Sequence, residues 1–321
     1  MSKALEQRIK NFTTQAVAKE LVKLKHPSYA SDYRRLVLSR RAIEVIFSIL
    51  LIYGGQQFLI QQAFFCPIWP ASGVGLCAIF IRGPFLILGV FLGSLASYLY
   101  YHLAWFFSII LSLLFAVTLF LIRECSLRWI GAVTPIATRA ILLKFIFLIG
   151  VFSLFHVILH HLALEWATGL SFKWINVVWG ALGEINGILC LTPFCLIFEP
   201  FVPQRYFQLK LTPWKIIAVL IITSYLLFYF IPNGFYSYIL AILLLIGLGI
   251  YAKCFGQIPT CVTLLGISIV YFTAVLSPSH LFTLHSSKVE VLMLTALFTL
   301  TVISSLTIAT PQKIVPKLIP D

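Results

Sequence analysis

Long apolar runs alternate with short polar breaks along most of this chain. A helix that crosses the hydrocarbon core of a membrane needs about 20 mostly apolar residues. Ten segments fit this pattern: 42–61, 67–81, 84–101, 104–122, 139–163, 174–198, 214–231, 236–252, 258–277 and 290–309. The pattern predicts an all-α fold, a polytopic transmembrane helix bundle of about eight to ten spans.

The positions of lysine and arginine favour ten crossings. Segment 67–81 is short and flanked by prolines, so it could be re-entrant instead of crossing,. With ten crossings, all but three of the 23 Lys and Arg lie on the side of the N-terminus, the exceptions being Lys144, Lys173 and Lys288. Without a crossing at 67–81 this asymmetry is lost, so the positive-inside rule predicts that both termini are cytoplasmic.

The composition supports a membrane protein and argues against a nucleic-acid partner. Hydrophobic residues make up 60% of the chain and charged residues 10%, whereas soluble domains carry roughly 25% charged residues. The net charge of +13 comes from the N-terminal region and alternate loops. We therefore expect membrane lipid, and no nucleic acid, as a partner.

Residues 1–41 form a basic segment before the first span. Leu5, Ile9 and Phe12 fall on one stripe of a predicted amphipathic helix over 4–24,. Such an arm can lie on the inner leaflet, pack on a partner helix, or remain solvated and fix only the orientation. The predicted organisation is thus a cytoplasmic arm (1–41), a transmembrane bundle (42–310) and a short cytoplasmic tail (311–321).

Pro67, Trp69 and Pro70 mark an unusual break between two spans. Each proline removes a backbone donor, and helices usually start or stop at such residues. Irregular backbone at membrane depth survives only where protein or a water-filled cavity covers it. This stretch is therefore predicted to line a pocket or a tight helix start inside the bundle.

Glu184 lies near the middle of the sixth segment. A charge at the bilayer centre costs about 2.5–3.5 kcal/mol on insertion scales, so such a residue faces the bundle or a cavity. Gly180 and Gly187 share its helix face, and Gly183 and Gly187 form a small-xxx-small pair,. Two interpretations stay open: an acid that responds to a ligand or a proton, or a protonated or hydrogen-bonded packing residue.

Four polar residues, His156, His160, His161 and Glu165, occupy the outer end of the fifth segment. Pairs of imidazoles four residues apart can bind a transition metal, or they can sense external pH. They can also be polar residues at the membrane interface. The spacing fixes no third ligand, so we assign neither a metal nor a cofactor.

The sequence contains no motif of a known catalytic type. G-x-S-x-G, G-x-x-x-x-G-K-[ST] and H-E-x-x-H are all missing, and these motifs carry the common nucleophile, phosphate-loop and zinc chemistries. We predict that the protein is not an enzyme and has no catalytic residues.

Two stretches resemble the membrane-associated sensor domain, type one, a bacterial integral-membrane sensory module. The first runs from Pro67 to Leu99, and its matching positions are Pro67, Trp69, Pro70, Ser72, Gly73, Arg82, Gly83, Phe91, Leu92 and Gly93. The second matches at Trp179, Gly183, Glu184, Gly187 and Pro193, and a weaker match falls at Glu290. The resemblance covers roughly residues 42–310.

The resemblance implies a sensory module in the inner (plasma) membrane of a bacterium. Its small ligand, of unknown identity, would bind between spans, in a pocket formed by Trp69, Pro70, Ser72, Glu184 and Glu290. Members of the family are mostly joined to a histidine kinase or a diguanylate cyclase, so a separate protein of this kind is the expected partner. The alternatives are a secondary transporter or permease, and a non-catalytic structural membrane subunit.

Overall fold

The computed structural model describes residues 27–61, 67–131, 138–169, 171–197, 211–230, 235–276 and 288–310. These residues form ten α-helices and no strand: α1 (Pro27–Gln61), α2 (Pro70–Arg82), α3 (Ile87–Tyr100), α4 (Trp105–Cys125), α5 (Arg139–Thr168), α6 (Trp174–Ile197), α7 (Leu211–Phe230), α8 (Phe235–Phe255), α9 (Gln257–Leu276) and α10 (Lys288–Ala309). The all-α prediction is confirmed. The predicted amphipathic helix over 4–24 and the tail 311–321 lie outside the described residues.

Six helical stretches are long and apolar enough to cross a membrane: Trp105–Ile130, Arg139–Thr168, Trp174–Leu196, Pro213–Phe230, Gln257–Val275 and Val289–Ala309. Three shorter apolar helices accompany them: Pro70–Arg82, Pro84–Tyr100 and Ala241–Phe255. The prediction of a multi-pass membrane protein is confirmed at this level. Helix α2 has 13 residues and is therefore about 20 Å long, too short to span the hydrocarbon core alone.

The chain divides into two compact units, one up to Phe47 and one from Ser48 onward. Helix α1 begins at Pro27, earlier than the predicted start of the first span at residue 42. Proline is favoured at the first helical position because its missing N–H would be unpaired there in any case. Within the first unit, Arg40 and Glu44 form an ion pair of 3.2 Å one helical turn apart.

Helix α6 is the central helix of the second unit and packs against α2, α5, α9 and α10. Its close fit to α2 depends on glycine. A Cβ on Gly73 would lie 2.0 Å from the carbonyl oxygen of Gly187, and a Cβ on Gly187 would lie 2.0 Å from the carbonyl oxygen of Trp69. Small residues thus allow the two backbones to touch, as is common between membrane helices.

Helix α3 packs on the second half of α1, and the two helices run in the same direction. Gly93 lies against Ile49 and Ile52. Further along both helices, Gln57 Nε2 donates to Ser97 Oγ at 3.2 Å. Contacts that advance together along both helices indicate a parallel pair.

Several helix termini meet at one end of the second unit, which we call the basic end. Arg123 Nε donates to the Ile79 carbonyl, and Arg139 Nε donates to the Thr307 carbonyl. These bonds bring together the C-termini of α2, α4 and α10 and the N-terminus of α5. Lys173, just before α6, lies at the other end, which we call the opposite end.

Candidate functional site

The residues before α2 hold a non-helical backbone inside the bundle. Trp69 is extended, with φ −98° and ψ 94°, and Pro70 begins the helix. The Trp69 N–H donates to the Gly183 carbonyl at 2.7 Å, and Asn186 Nδ2 donates to the Pro67 carbonyl at 3.0 Å. Groups of α6 therefore satisfy this backbone, as its position in the bundle requires.

Ser72 closes the turn between the break and α2. Its Oγ donates to the Trp69 carbonyl at 2.7 Å and lies 3.4 Å from the Glu184 carbonyl. Ser72 and Glu184 are both fully buried. The serine thus joins the start of α2 to the α6 turn that carries the acid.

The Trp69 indole lies at the meeting point of α2, α4 and α5. It stacks on Phe115 of α4, with ring centroids 5.3 Å apart and an interplanar angle of 11°. It also stacks on the imidazole of His156 of α5, at 5.6 Å and 27°. With 2% of its surface exposed, this ring contacts both helices directly.

Glu184 is paired with His156. Glu184 Oε2 and His156 Nδ1 are 2.9 Å apart, and both side chains are 0% exposed. An ionised carboxylate only accepts hydrogen bonds, so the imidazole Nδ1–H donates when Glu184 is charged. A buried acid is thereby held directly against a group that can carry a proton.

A second histidine extends this cluster. His160 Nε2 and the Tyr98 hydroxyl of α3 are joined by a 2.7 Å hydrogen bond. The ring centroid of His160 lies 5.8 Å from that of His156 and 5.9 Å from that of His161. Trp69, Tyr98, Phe115, His156, His160 and Glu184 therefore form one continuous group, which we call the Trp69 cluster.

Several buried polar atoms beside this cluster have no hydrogen-bond partner among the described residues. They are Trp69 Nε1, Ser112 Oγ, Ser153 Oγ, His156 Nε2 and Glu184 Oε1. Each such atom costs about 1–3 kcal/mol if it stays unpaired. Their concentration around one buried acid marks this place, in the described part of the chain, as suited to a polar guest or a mobile proton.

Of the five predicted pocket residues, the structure brings Trp69, Ser72 and Glu184 together, and Pro70 is adjacent to them as the first residue of α2. Glu290 lies in the first turn of α10 and is half-buried. None of the described hydrogen bonds of Trp69, Ser72 or Glu184 goes to Glu290. A metal site receives no support, since the described residues contain no group of three His, Cys, Asp or Glu that could hold an ion.

The pairing of His156 with Glu184 did not follow from our interpretation of the sequence, which placed His156 at the outer end of its span. Helix α5 continues to Thr168, so His156 lies deeper than predicted. The spacing of the two residues along the sequence nevertheless indicated that they lie close together. His156 and Glu184 each lie about three helical turns from the short connection between α5 and α6, and residues equidistant from such a turn reach the same depth. Tyr98 and Phe115 come from distant segments and left no comparable signal.

No protein-family model, curated protein or solved structure matches this chain. The resemblance to the type-one sensor domain therefore stays a prediction from the sequence.

Proposed function

We propose that this chain is an integral membrane sensory module of a bacterial inner membrane. A small ligand binds at the Trp69 cluster, and the resulting helix shift passes to a separate cytoplasmic protein such as a histidine kinase or a diguanylate cyclase. The observation that carries this proposal is the buried Glu184–His156 pair, placed beside the non-helical start of α2. Intramembrane ionisable groups are expensive to bury and commonly mark functional sites.

The packing of the cluster supports a route for the signal. The Trp69 ring touches α4 through Phe115 and α5 through His156. The C-terminus of α4 and the N-terminus of α5 both lie at the basic end. A ligand that favours one arrangement of Trp69 over another would therefore shift helices whose ends lie there, provided that it binds the two arrangements with different affinity.

The orientation of the module is part of the proposal. We propose ten crossings with both termini in the cytoplasm, and the basic end facing it. The parallel contact of α1 with α3 supports a crossing between them, because the chain must return before α3 can run in the same direction. Arg82, Arg123 and Arg139 at the basic end agree with the positive-inside rule,.

The proposal can be tested with a fluorescent reporter at the basic end. Cys125 ends α4 and is half-buried, so it can carry an environment-sensitive maleimide in a chain with Cys254→Ala. A chain that also lacks Cys125 supplies the blank for labelling elsewhere. Oriented membrane vesicles are then challenged from the outside with amino acids, organic acids, sugars and pH steps.

We expect at least one challenge to change the emission of the labelled chain, and Glu184→Gln to abolish that change. The same substitution at Glu44, a half-buried acid paired with Arg40, serves as the matched control and should leave the response intact. No response to any member of the panel, from protein that is correctly folded, would contradict the sensory proposal.

Transport is a second candidate, favoured by one observation. Many secondary transporters hold their substrate where short, discontinuous helices begin inside the bundle, and the 13-residue helix α2 begins beside a buried acid, after an extended Trp69. Saturable uptake of a radiolabelled panel compound that depends on Glu184 would assign a transporter. A reporter response without net uptake would favour a sensor.

A further inference from the structure

We infer that the ligand of this site is a proton, which enters from the opposite end of the bundle and reaches Glu184 through the histidines of α5. The inference rests on the proposed function and names its ligand. It is carried by the geometry of the Glu184–His156 pair, by the ring contacts that extend it, and by the direction in which histidines continue from it.

The pair has the arrangement required to accept a proton. With Glu184 ionised, His156 Nδ1–H donates to Oε2 at 2.9 Å, and Nε2 is left as the basic nitrogen,. Nε2 has no partner among the described residues. A proton that arrives at Nε2, while the Nδ1 proton passes to Oε2, leaves a carboxylic acid and a neutral imidazole. One proton is taken up and one negative charge is neutralised.

A chain of titratable side chains leads from the pair toward the opposite end. The ring of His160 lies 5.8 Å from that of His156, and the ring of His161 lies 5.9 Å from that of His160. One water molecule can bridge polar atoms across such a gap. Along this chain the exposed fraction rises from 0% at His156 to 2% at His160, and His161 and Glu165 are half-buried.

In the other direction, toward the basic end, the next buried side chains are Ser153 of α5 and Asn186 of α6, which are polar but not ionisable near neutral pH,. Beyond them, Leu119 of α4, Ile149 of α5 and Ile188 of α6 are apolar and 0% exposed. Among the described residues around the pair, histidines therefore continue only toward the opposite end.

The other ionisable groups on the surrounding helices do not interrupt this route. They are Cys77 and Arg82 of α2, Tyr98 and Tyr100 of α3, Arg123, Glu124 and Cys125 of α4, Arg139 and Lys144 of α5, Cys190 and Cys195 of α6, Cys261 and Tyr271 of α9, and Lys288 and Glu290 of α10. Tyr98 is hydrogen-bonded to His160 and belongs to the route. Arg123 and Glu124 form an ion pair at the basic end.

The test uses the full chain in oriented membrane vesicles, with two measurements. Infrared difference spectroscopy follows the C=O band of a protonated carboxyl, and the label on Cys125 reports movement at the basic end. The external pH is stepped from about 8 to about 5, the range in which histidine changes charge. We expect a carboxyl band that appears in the native chain and is lost in Glu184→Gln.

The relay is tested with His160→Phe, which keeps an aromatic ring but removes both nitrogens. We expect proton uptake by Glu184, measured as the rate at which the carboxyl band appears, to slow by about 10²-fold. This is the lower end of what a positioned proton donor contributes. The control is His102→Asn, which removes an exposed imidazole in a left-handed conformation that asparagine tolerates,. It should leave the rate unchanged. If His160→Phe does not fold, Tyr98→Phe removes only the hydroxyl that binds His160, and we expect it also to slow uptake.

The outcomes separate the two proposals. A carboxyl band that persists in Glu184→Gln, or an unchanged uptake rate in both relay variants, overturns the proton inference. A reporter response that needs Glu184 but ignores pH overturns the inference and leaves the sensory function standing. If the carboxyl band of Glu184 changes with pH while the label on Cys125 never responds, the proton site is supported and the sensory function is overturned.

Discussion

At the scale of single residues, burying the Glu184–His156 pair costs hydration free energy. Glu184 and His156 are both 0% exposed. Two buried ions are stabilising only when their geometry compensates for lost hydration. A neutral acid with a neutral imidazole avoids most of that cost.

His156→Leu leaves Glu184 without its hydrogen-bond partner, and we expect it to destabilise the protein by about 3–5 kcal/mol. Glu184→Met alone should destabilise the protein less than His156→Leu, because it leaves an imidazole that can stay neutral. In the double variant no charge remains unpaired, so its loss should be well below that of His156→Leu. Thermal unfolding in detergent measures all three. Additive losses would show that the two side chains do not act as a pair.

At the scale of elements, α2 and α6 are held together by close backbone contact as well as by side-chain hydrogen bonds. Trp69 donates its N–H to Gly183, and the Gly187 α-carbon lies against the Trp69 carbonyl. The proline and glycine pattern of the sequence correctly predicted a break in a buried setting. It did not predict which helix covers the break, because local propensity carries no information on partners distant in the chain.

Gly187→Ala should loosen this contact. Its Cβ would meet the Trp69 carbonyl oxygen at 2.0 Å, and backbone on both sides must move. We expect a loss of about 1–3 kcal/mol, as for other overpacked sites. Gly150→Ala in α5 is the matched control, since a Cβ there meets nothing within 4 Å. Equal melting temperatures for the two variants would contradict the close contact.

Asn186 supports the other side of the break. Its Nδ2 donates to the Pro67 carbonyl at 3.0 Å, and the side chain is fully buried. Asn186→Leu removes that donor, so we expect a loss of about 1–3 kcal/mol and faster proteolysis near residue 67. For comparison, Ser224→Ala removes a hydroxyl that bonds only within α7, to Leu220. If Ser224→Ala lost as much stability and were cleaved as fast as Asn186→Leu, a special role for Asn186 would be contradicted.

At the scale of the whole molecule, apolar periodicity predicted the helices well and the site poorly. All ten predicted segments overlap helices of the structure, although α1 begins earlier than predicted and residues 67–69 are not helical. Long apolar runs are sufficient to indicate such helices. The Trp69 cluster combines Trp69 with residues of α3, α4, α5 and α6, and only Trp69, His156, His160 and Glu184 carried a local signal. Neither Tyr98 nor Phe115 differs in sequence from the many aromatics that face lipid.

The orientation of the bundle gives a sharp prediction of topology. Ser171 is exposed between α5 and α6, and Cys254 is exposed near the end of α8. Three helices separate them, so an odd number of crossings must place them on opposite sides. In intact cells, a membrane-impermeant maleimide should label Ser171→Cys in a Cys254→Ala chain, with that parent chain as its blank. Cys254 should react only after permeabilisation, with the Cys254→Ala chain as its blank. Labelling of both from one side would require an even number of crossings, and the ten-span topology with its cytoplasmic basic end would then be wrong.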